Sequence, residues 1–364
     1  MSNPFKFGTV VSDVYFTDRR DEYSSLTQLI ASENHLIMIA PRRYGKTSLV
    51  QKVVKASQRP VLWLDLQLLT GVTDFASQLL KQVFKKYPFE KLKFLVRNFR
   101  IVPTLIIDPQ SNNVEISFQS SVDSFVQLED VLNLIESLGA DNKIVVVFDE
   151  FQEVMQLDKN LDKKLRATIQ LHKNINYVFL GSVESMMIDI FEKKKSPFYH
   201  FGVLFALKKI PYLDFKNFLM DGFASVTEQN ELISEQVLAF SQCHPYYTQQ
   251  LAFHVWMKLE RKAYFENIIN ETIIETIQLH DNDFERLWNN MNNTDKKILI
   301  GLSVDAQNPL KEQFATKNDI KATSTVFSGL KRLSRAGIIY KSDQYEFDDP
   351  FFKEWLFSKR IENK

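Results

Sequence analysis

The sequence predicts an α/β fold, a doubly wound and mostly parallel five-stranded sheet followed by a helical segment and a winged helix. Three observations predict it. Short apolar runs alternate with stretches of helical spacing through residues 36–210, the pattern of strand–helix–strand units. From Asp214 to about His280 only helical periodicity remains. Residues 294–347 then read helix, helix, helix, hairpin. Three domains are expected: 1–210, 211–290 and 291–364.

Composition narrows the function classes. The 364 residues hold 45 Lys+Arg against 45 Asp+Glu, so nucleic acid can be bound only through a local patch. The single cysteine, Cys243, excludes an internal disulfide and fits a reducing compartment. Six scattered histidines show no metal-ligand spacing. No apolar run approaches membrane-spanning length and Met1–Phe5 opens no signal peptide, so no membrane partner and a cytoplasmic location are expected.

Along residues 14–30, Thr17 or Asp18 can cap a helix whose apolar face is Tyr23, Leu26, Leu29 and Ile30. The apolar run Leu36–Ala40 breaks at Pro41 and resumes at helical spacing from Ser48. Strand, loop and helix are the context of a phosphate-binding P-loop, with Gly45-Lys46-Thr47 at the helix start. Free amides and the positive dipole end favour a phosphate there; Lys46 can reach the β- and γ-phosphates and the Thr47 hydroxyl can ligate Mg²⁺. The pattern G-x-x-x-x-G-K-[ST] has glycine where this chain has Ala40, which costs little if that residue keeps φ negative. An ordinary turn containing Gly-Lys-Thr is the plain alternative.

Pro60–Asp65 reads as a second strand, and helix signals cover Asp74–Tyr87. Residues 97–120 read as an inserted β-hairpin, Val102–Ile107 and Val114–Phe118, around Asp108–Asn113. A helix over Val122–Leu138 leads to Lys143–Glu150, whose five consecutive apolar residues suit a central parallel strand. It ends in two carboxylates at the edge where open α/β sheets bind ligands. Asp149 suits a Mg²⁺ ligand, and Glu150 can polarise the water that attacks a γ-phosphate. After a helix over 161–173, Tyr177–Ser182 is a further strand; Ser182 can hydrogen-bond the phosphate or the water, or simply end the strand. Val203–Ile210 supplies the fifth strand.

Cys243–Leu251 contains a helix start marked by Pro245. In the last segment helices are expected from Thr294, over Lys317–Ile320 and over Thr323–Ala336, the last burying Val326, Leu330 and Leu333 and ending at Gly337. Ile338–Tyr340 and Gln344–Phe347 make the wing hairpin. Residues 294–364 carry 13 Lys/Arg and 10 Asp/Glu, a net +3, and the presumed recognition helix presents Ser324, Ser328, Lys331, Arg332 and Arg335. The partner implied is DNA or a protein.

Together these residues resemble the prokaryotic ATPase family described as predominantly archaeal, in the STAND branch of AAA+-like P-loop NTPases. Phe16-Thr-Asp-Arg19-Arg-Asp-Glu22-Tyr-Ser-Ser-Leu26 resembles its N-terminal signature, Pro41–Leu49 its P-R-R-x-G-K-T-S-L loop, and Phe148-Asp149-Glu150-Phe151-Gln152 its D-E-F-Q strand end. Gly181-Ser182 matches its sensor position, His244-Pro245-Tyr246-Tyr247 falls where a G-x-P-type motif lies near the nucleotide, and Asp349–Leu356 resembles the end of its winged helix. The resemblance implies ATP and Mg²⁺ as ligands. Pro41, Arg42, Arg43, Tyr44, Gly45, Lys46, Thr47, Ser48 and Pro245 would bind the nucleotide, Thr47 and Asp149 the metal, and Lys46, Asp149, Glu150 and Ser182 would serve catalysis. Family members often carry P-L-Y-G-R where this chain has Pro197-Phe198-Tyr199-His200-Phe201, so an arginine finger from that place is missing; Arg43 and Arg166 are the substitutes considered.

Two functions remain in view: a slow Mg²⁺-dependent ATPase whose nucleotide state sets winged-helix docking, with a nucleotide-dependent oligomer open to it, and a nucleotide-stabilised, non-hydrolysing regulator or scaffold. Adjacent acids at 149–150 disfavour a kinase. Thr316-Lys317-Asn318-Asp319 follows no buried strand, which disfavours guanine recognition.

Overall fold

Apolar runs of four to seven residues become the strands of one parallel sheet in the computed structural model, which describes residues 2–9, 15–17, 19–32, 34–107, 114–119, 123–261 and 267–362. Contacts gather the chain into two units. One comprises Arg19–Ala40 and Lys46–Leu207, the other Met1–Asp18, Pro41–Gly45 and Lys208–Lys364.

The first unit runs α1 (Arg20–Ala31), β1 (Leu36–Ile39), α2 (Lys46–Ala56), β2 (Val61–Asp65), α3 (Val72–Lys86), α4 (Phe89–Val96), β3 (Thr104–Ile107) and β4 (Val114–Ser117). It continues with α5 (Ser124–Leu138), β5 (Ile144–Asp149), α6 (Val154–Leu157), α7 (Leu161–Ile169), β6 (Ile175–Gly181), α8 (Glu184–Phe191) and β7 (Val203–Ala206). The sheet order is β2-β5-β6-β1-β7 and every pairing is parallel. Strands β5 and β6 are buried at every position, which is why their sequences are mostly apolar rather than alternating; the buried Asn176 of β6 is satisfied by bonds to the Asn34 carbonyl and from Arg59. Register puts Ile39 beside Gly181 and Phe148 beside Phe179, so β1 and β5 end on either side of β6. Their carboxyl tips, where the strand order switches, are the edge at which open α/β sheets bind ligands.

The expected hairpin forms as β3 and β4; its turn, Asp108–Asn113, lies outside the described residues, as does Val122. Helix α5 starts at Ser124, where the Asp123 carboxylate accepts from the Phe125 amide at 3.0 Å. The expected cap of the first helix is corrected. Arg20 follows Arg19 at φ 74° with no side-chain cap, and the buried Thr17 hydroxyl instead accepts from Gln249 Nε2 at 3.2 Å; Asp18 lies outside the described residues.

His35 marks the start of β1. Its Nδ1 accepts from the Tyr177 amide at 3.3 Å, and its ring packs on Phe201 at 4.6 Å. Burial, then the charges of Arg166 and His172, lower its pKa from 6.5 to about 4. The folded state therefore keeps the ring neutral where the unfolded chain binds a proton. Stability contributed at neutral pH is lost as pH falls from about 6.5 towards 4, about 3 kcal/mol in all. Urea midpoints should fall across that window, and His35→Gln should flatten the slope.

The second unit holds α9 (Tyr212–Phe223), α10 (Asn230–Ser241), α11 (Pro245–Glu260), α12 (Ile268–Asn289), α13 (Asn293–Val304), α14 (Glu312–Lys317), α15 (Thr323–Arg335), β8 (Ile339–Lys341), β9 (Tyr345–Phe347) and α16 (Pro350–Phe357). One core runs from Phe5 through Phe223, Trp256 and Trp288 to Leu330 and Trp355. The segments 211–290 and 291–364, drawn apart in the sequence, thus share an interior. The helix expected at Lys317–Ile320 is corrected to α14, because Phe314 and Ala315 are the residues that bury and Asp319, at φ 51°, turns the chain out of the helix. Gly337 takes φ 70° after α15, as expected of a helix stop. Among the described residues no helix is long and apolar enough to cross a membrane.

Candidate nucleotide site

Strand β1 delivers the chain to Ala40, which is not among the positive-φ residues, so alanine replaces the pattern's first glycine without backbone strain. Gly45 sits at φ 84° with open space around an added Cβ; its requirement for glycine is conformational, not steric. Helix α2 starts at Lys46, leaving its first amides unbonded within the helix at the positive dipole end. The Lys46 side chain is 6% exposed and its Nζ donates to the Ala40 carbonyl, just past β1, at 2.9 Å. Thr47 Oγ1 donates to Asp149 Oδ2 at 3.3 Å. The first turn of α2 and the tip of β5 are therefore within one hydrogen bond.

At that tip burial raises the Asp149 pKa, Glu150's charge adds to it, and the Lys46 ammonium pulls it back. The Glu150 amide donates to Asp149 Oδ1 at 3.0 Å, and Glu150 itself takes φ 50°. Its Oε2 accepts two bonds at 2.5 Å, from Ser182 Oγ and from Gln152 Nε2. Phe151 anchors the turn, its ring 4.5 Å from Phe179 and 5.4 Å from Phe198. Among the described residues no group of three His, Cys, Asp or Glu can hold a metal. One hydroxyl and one carboxylate are a donor set of hard oxygens that fits Mg²⁺, which keeps waters and takes phosphate oxygens instead of a protein cage.

Two side chains of the loop belong to the second unit and are held there. Arg43, at φ 64°, donates from Nη1 to the Tyr247 hydroxyl at 2.7 Å, its guanidinium 4.5 Å from the Tyr246 ring centre. The left-handed conformation costs an L-residue about 1 kcal/mol, so these contacts hold it. Tyr247 donates on to Asp349, whose carboxylate caps α16 by accepting from the Phe351 and Phe352 amides at 2.8 and 3.2 Å. Burial, with Asp349 and Asp348 adding to it, keeps the Tyr247 phenol far above its ordinary pKa, hence a donor at any working pH. Tyr44 is buried edge-to-face against His244 at 5.0 Å and Tyr340 at 6.2 Å. Tyr340 donates to Glu346 at 2.5 Å, and Lys209 pairs with the same carboxylate at 2.7 Å. His244 holds the N-cap position of α11 without a side-chain cap bond: it is 2% exposed, and among the described residues neither ring nitrogen has a hydrogen-bond partner.

The structure thus links Lys46, Thr47, Asp149, Glu150 and Ser182 in one unit, and gathers Arg43, Tyr44 and the Pro245 helix start in the other. Ser48 is buried in the first turn of α2, and Arg42 is exposed. Two contacts add to what was expected: Ser182 donates to Glu150, and Arg332, exposed on α15 as expected, also pairs with Asp295 at 2.7 Å. Tyr340 and Glu346 carry site contacts that the sequence reading assigned only to the wing hairpin; Gln152, Tyr247 and Asp349 lie inside recognised motifs without an assigned role. Neither arginine considered as a finger is unengaged, Arg43 for the reasons above and Arg166 because it lies 4.2 Å from the Phe201 ring centre and donates to Gln170 at 2.7 Å.

A sequence profile described as an ATPase domain predominantly from Archaea matches residues 16–251, and one described as a probable winged helix domain matches residues 282–358. The Walker-type ATPase of Pyrococcus abyssi is similar in structure, with 18% identity, a TM-score of 0.67 and coverage of 94% of this chain and 96% of that one. The ORC2 protein of Aeropyrum pernix, in its ADPNP–ADP complexes, is similar with 15% identity, a TM-score of 0.53 and coverage of 97% and 98%. No curated protein sequence matches.

Proposed function

We propose, from the premise that this chain belongs to the family of ATPase domains found predominantly in Archaea, that it is an ATP-driven switch whose nucleotide state sets the hold of its winged helix on the phosphate loop. One observation carries the reading: Arg43 and Tyr44, two side chains of the loop itself, are bonded or packed onto α11, β8 and, through Tyr247 and Asp349, the cap of α16. A loop that must rearrange around phosphates cannot do so without loading those contacts.

In this reading Lys46 and the first amides of α2 bind the phosphates, with Pro41 to Ser48 shaping the loop and Pro245 setting the start of α11 beside Arg43 and Tyr44. Thr47 and Asp149 would hold Mg²⁺. Bound there, Mg²⁺ neutralises charge on the transferring phosphoryl group. Glu150 orients water and Ser182 fixes Glu150. The functional divisions 1–210, 211–290 and 291–364, a STAND placement, a cytoplasmic setting and a nucleotide-dependent oligomer belong to the same proposal. DNA or a protein partner would be engaged through residues 294–364; with Arg332 tied to Asp295, Lys331 and Arg335 are the cations α15 offers.

Hydrogen exchange of residues 338–349, compared without nucleotide, with ADP and with a non-hydrolysed ATP analogue, tests the coupling. Protection is expected to differ between states by at least about threefold, and Arg43→Ala with Tyr247→Phe should erase the difference while phosphate release persists. Identical exchange in all states would refute the switch. The engagement of both Arg43 and Arg166 favours a second reading, a nucleotide-held scaffold; ATP-dependent thermal stabilisation without any phosphate release would select it.

A further inference from the structure

Gln152 sits two residues beyond Glu150, on the 3-10 turn Phe151–Glu153 that follows β5. It is 1% exposed, and its Nε2 donates to Glu150 Oε2 at 2.5 Å. The amide cannot be turned over: its carbonyl would then face a carboxylate, acceptor against acceptor. In the orientation adopted, its own Oε1 is buried with no hydrogen-bond partner among the described residues. A buried amide that leaves its acceptor unpaired to keep its donor on a carboxylate is held there for the donor. Ser182 Oγ, from the end of β6, donates to the same oxygen.

Two donors on different elements therefore occupy Oε2, which sets Oε1 apart as the carboxylate's other oxygen. The backbone is committed to the same end. Glu150 takes the left-handed φ of 50°, the Glu153 amide closes the turn on the Glu150 carbonyl at 3.0 Å, and Phe151 is locked among Phe179, Phe191 and Phe198.

We propose that Gln152 is the positioning residue of the hydrolytic site: with Ser182 it saturates Oε2 of Glu150 and so fixes Oε1 as the oxygen that aligns the attacking water. This rests on the hydrolytic role assigned to Glu150 above. Without the amide donor the carboxylate keeps one tether and can rotate, so fewer bound ATP molecules meet an aligned base. Binding of ATP is untouched, because Gln152 acts through Glu150.

The test is steady-state phosphate release by the full chain with Mg·ATP. Gln152→Met keeps the volume and removes both the donor and the unpaired carbonyl. It should lower kcat about tenfold to thirtyfold, with KM for ATP within about twofold and a melting temperature equal to or above wild type. Gln152→Glu, which sets carboxylate against carboxylate, should lower kcat further. In a Glu150→Gln background Gln152→Met should lower the residual rate by less than about twofold, since its effect passes through Glu150. Three results would each overturn the proposal: unchanged kcat in Gln152→Met, the same fold-loss in the Glu150→Gln background, or a loss carried by KM or by melting. A wild-type chain that binds ATP and never releases phosphate would overturn the role of Glu150 itself, whereas turnover by wild type with Gln152→Met unaffected overturns only the role of Gln152.

Discussion

Lys46→Ala is expected to weaken ATP binding about 100- to 1000-fold while leaving adenosine binding unchanged. In the proposed site the ammonium would meet phosphate with a full positive charge, and it is buried, where a charge-assisted bond is worth most. Losing about 3 to 4 kcal/mol of such contact corresponds to that factor. The fold does not depend on the side chain in the same measure. Its Nζ holds the Ala40 carbonyl of the loop, and its ammonium offsets the charge of Asp149; the aliphatic core of the sheet lies elsewhere. Calorimetry with ATP and with adenosine separates the two effects. Equal ATP affinity in the variant would remove the phosphate site from residues 40–47.

The second large effect belongs to Glu150. Glu150→Gln should reduce kcat about 100- to 1000-fold with ATP affinity unchanged, the range expected when a positioned general base is removed. The substitution keeps the chain length and the turn, and the neutral amide can still accept from Ser182 or Gln152, so the loss reports the missing charge and not a collapsed strand end. Asp149 next to it should behave differently. Its oxygens already engage Thr47 and the Glu150 amide, and Asp149→Asn should therefore weaken metal-dependent binding as well as turnover. Phosphate release at matched saturation of wild type and both variants decides between the roles; equal rates in wild type and Glu150→Gln would exclude a base there.

Much of the site could be read from the sequence because its parts are local. Gly45-Lys46-Thr47 between a strand and a helix, and Phe148-Asp149-Glu150 at the end of an apolar run, are each set by a few consecutive residues. The sheet followed from largely apolar runs such as Ile144–Phe148 and Tyr177–Leu180, since strands covered on both faces read that way. What stayed hidden depends on distance along the chain. Arg43 meets Tyr247, Tyr44 meets Tyr340, and Ser182 meets Glu150, and no periodicity records such pairs. Arg332 lies on an open face, as helical spacing predicts, but its pairing with Asp295, on α13, is another link that spacing does not record. The short helix α14 was misplaced because six residues give too little period to separate Phe314 and Ala315 from the turn after them. The common interior of residues 211–364 was likewise invisible, since composition does not tell two small cores from one.

Phe5 lies in that interior, 4.8 Å from Phe223, and the chain passes from one unit to the other after residues 18, 40, 45 and 207. The order of synthesis therefore runs against the order of assembly. The first segment leaves the ribosome with its apolar side chain exposed and waits for a partner made roughly 200 residues later, a loop closure that slows folding. The sheet can mature in the meantime, but the loop Pro41–Gly45, whose Arg43 and Tyr44 are held by Tyr247 and Tyr340, cannot take its final form until the last segments have been translated.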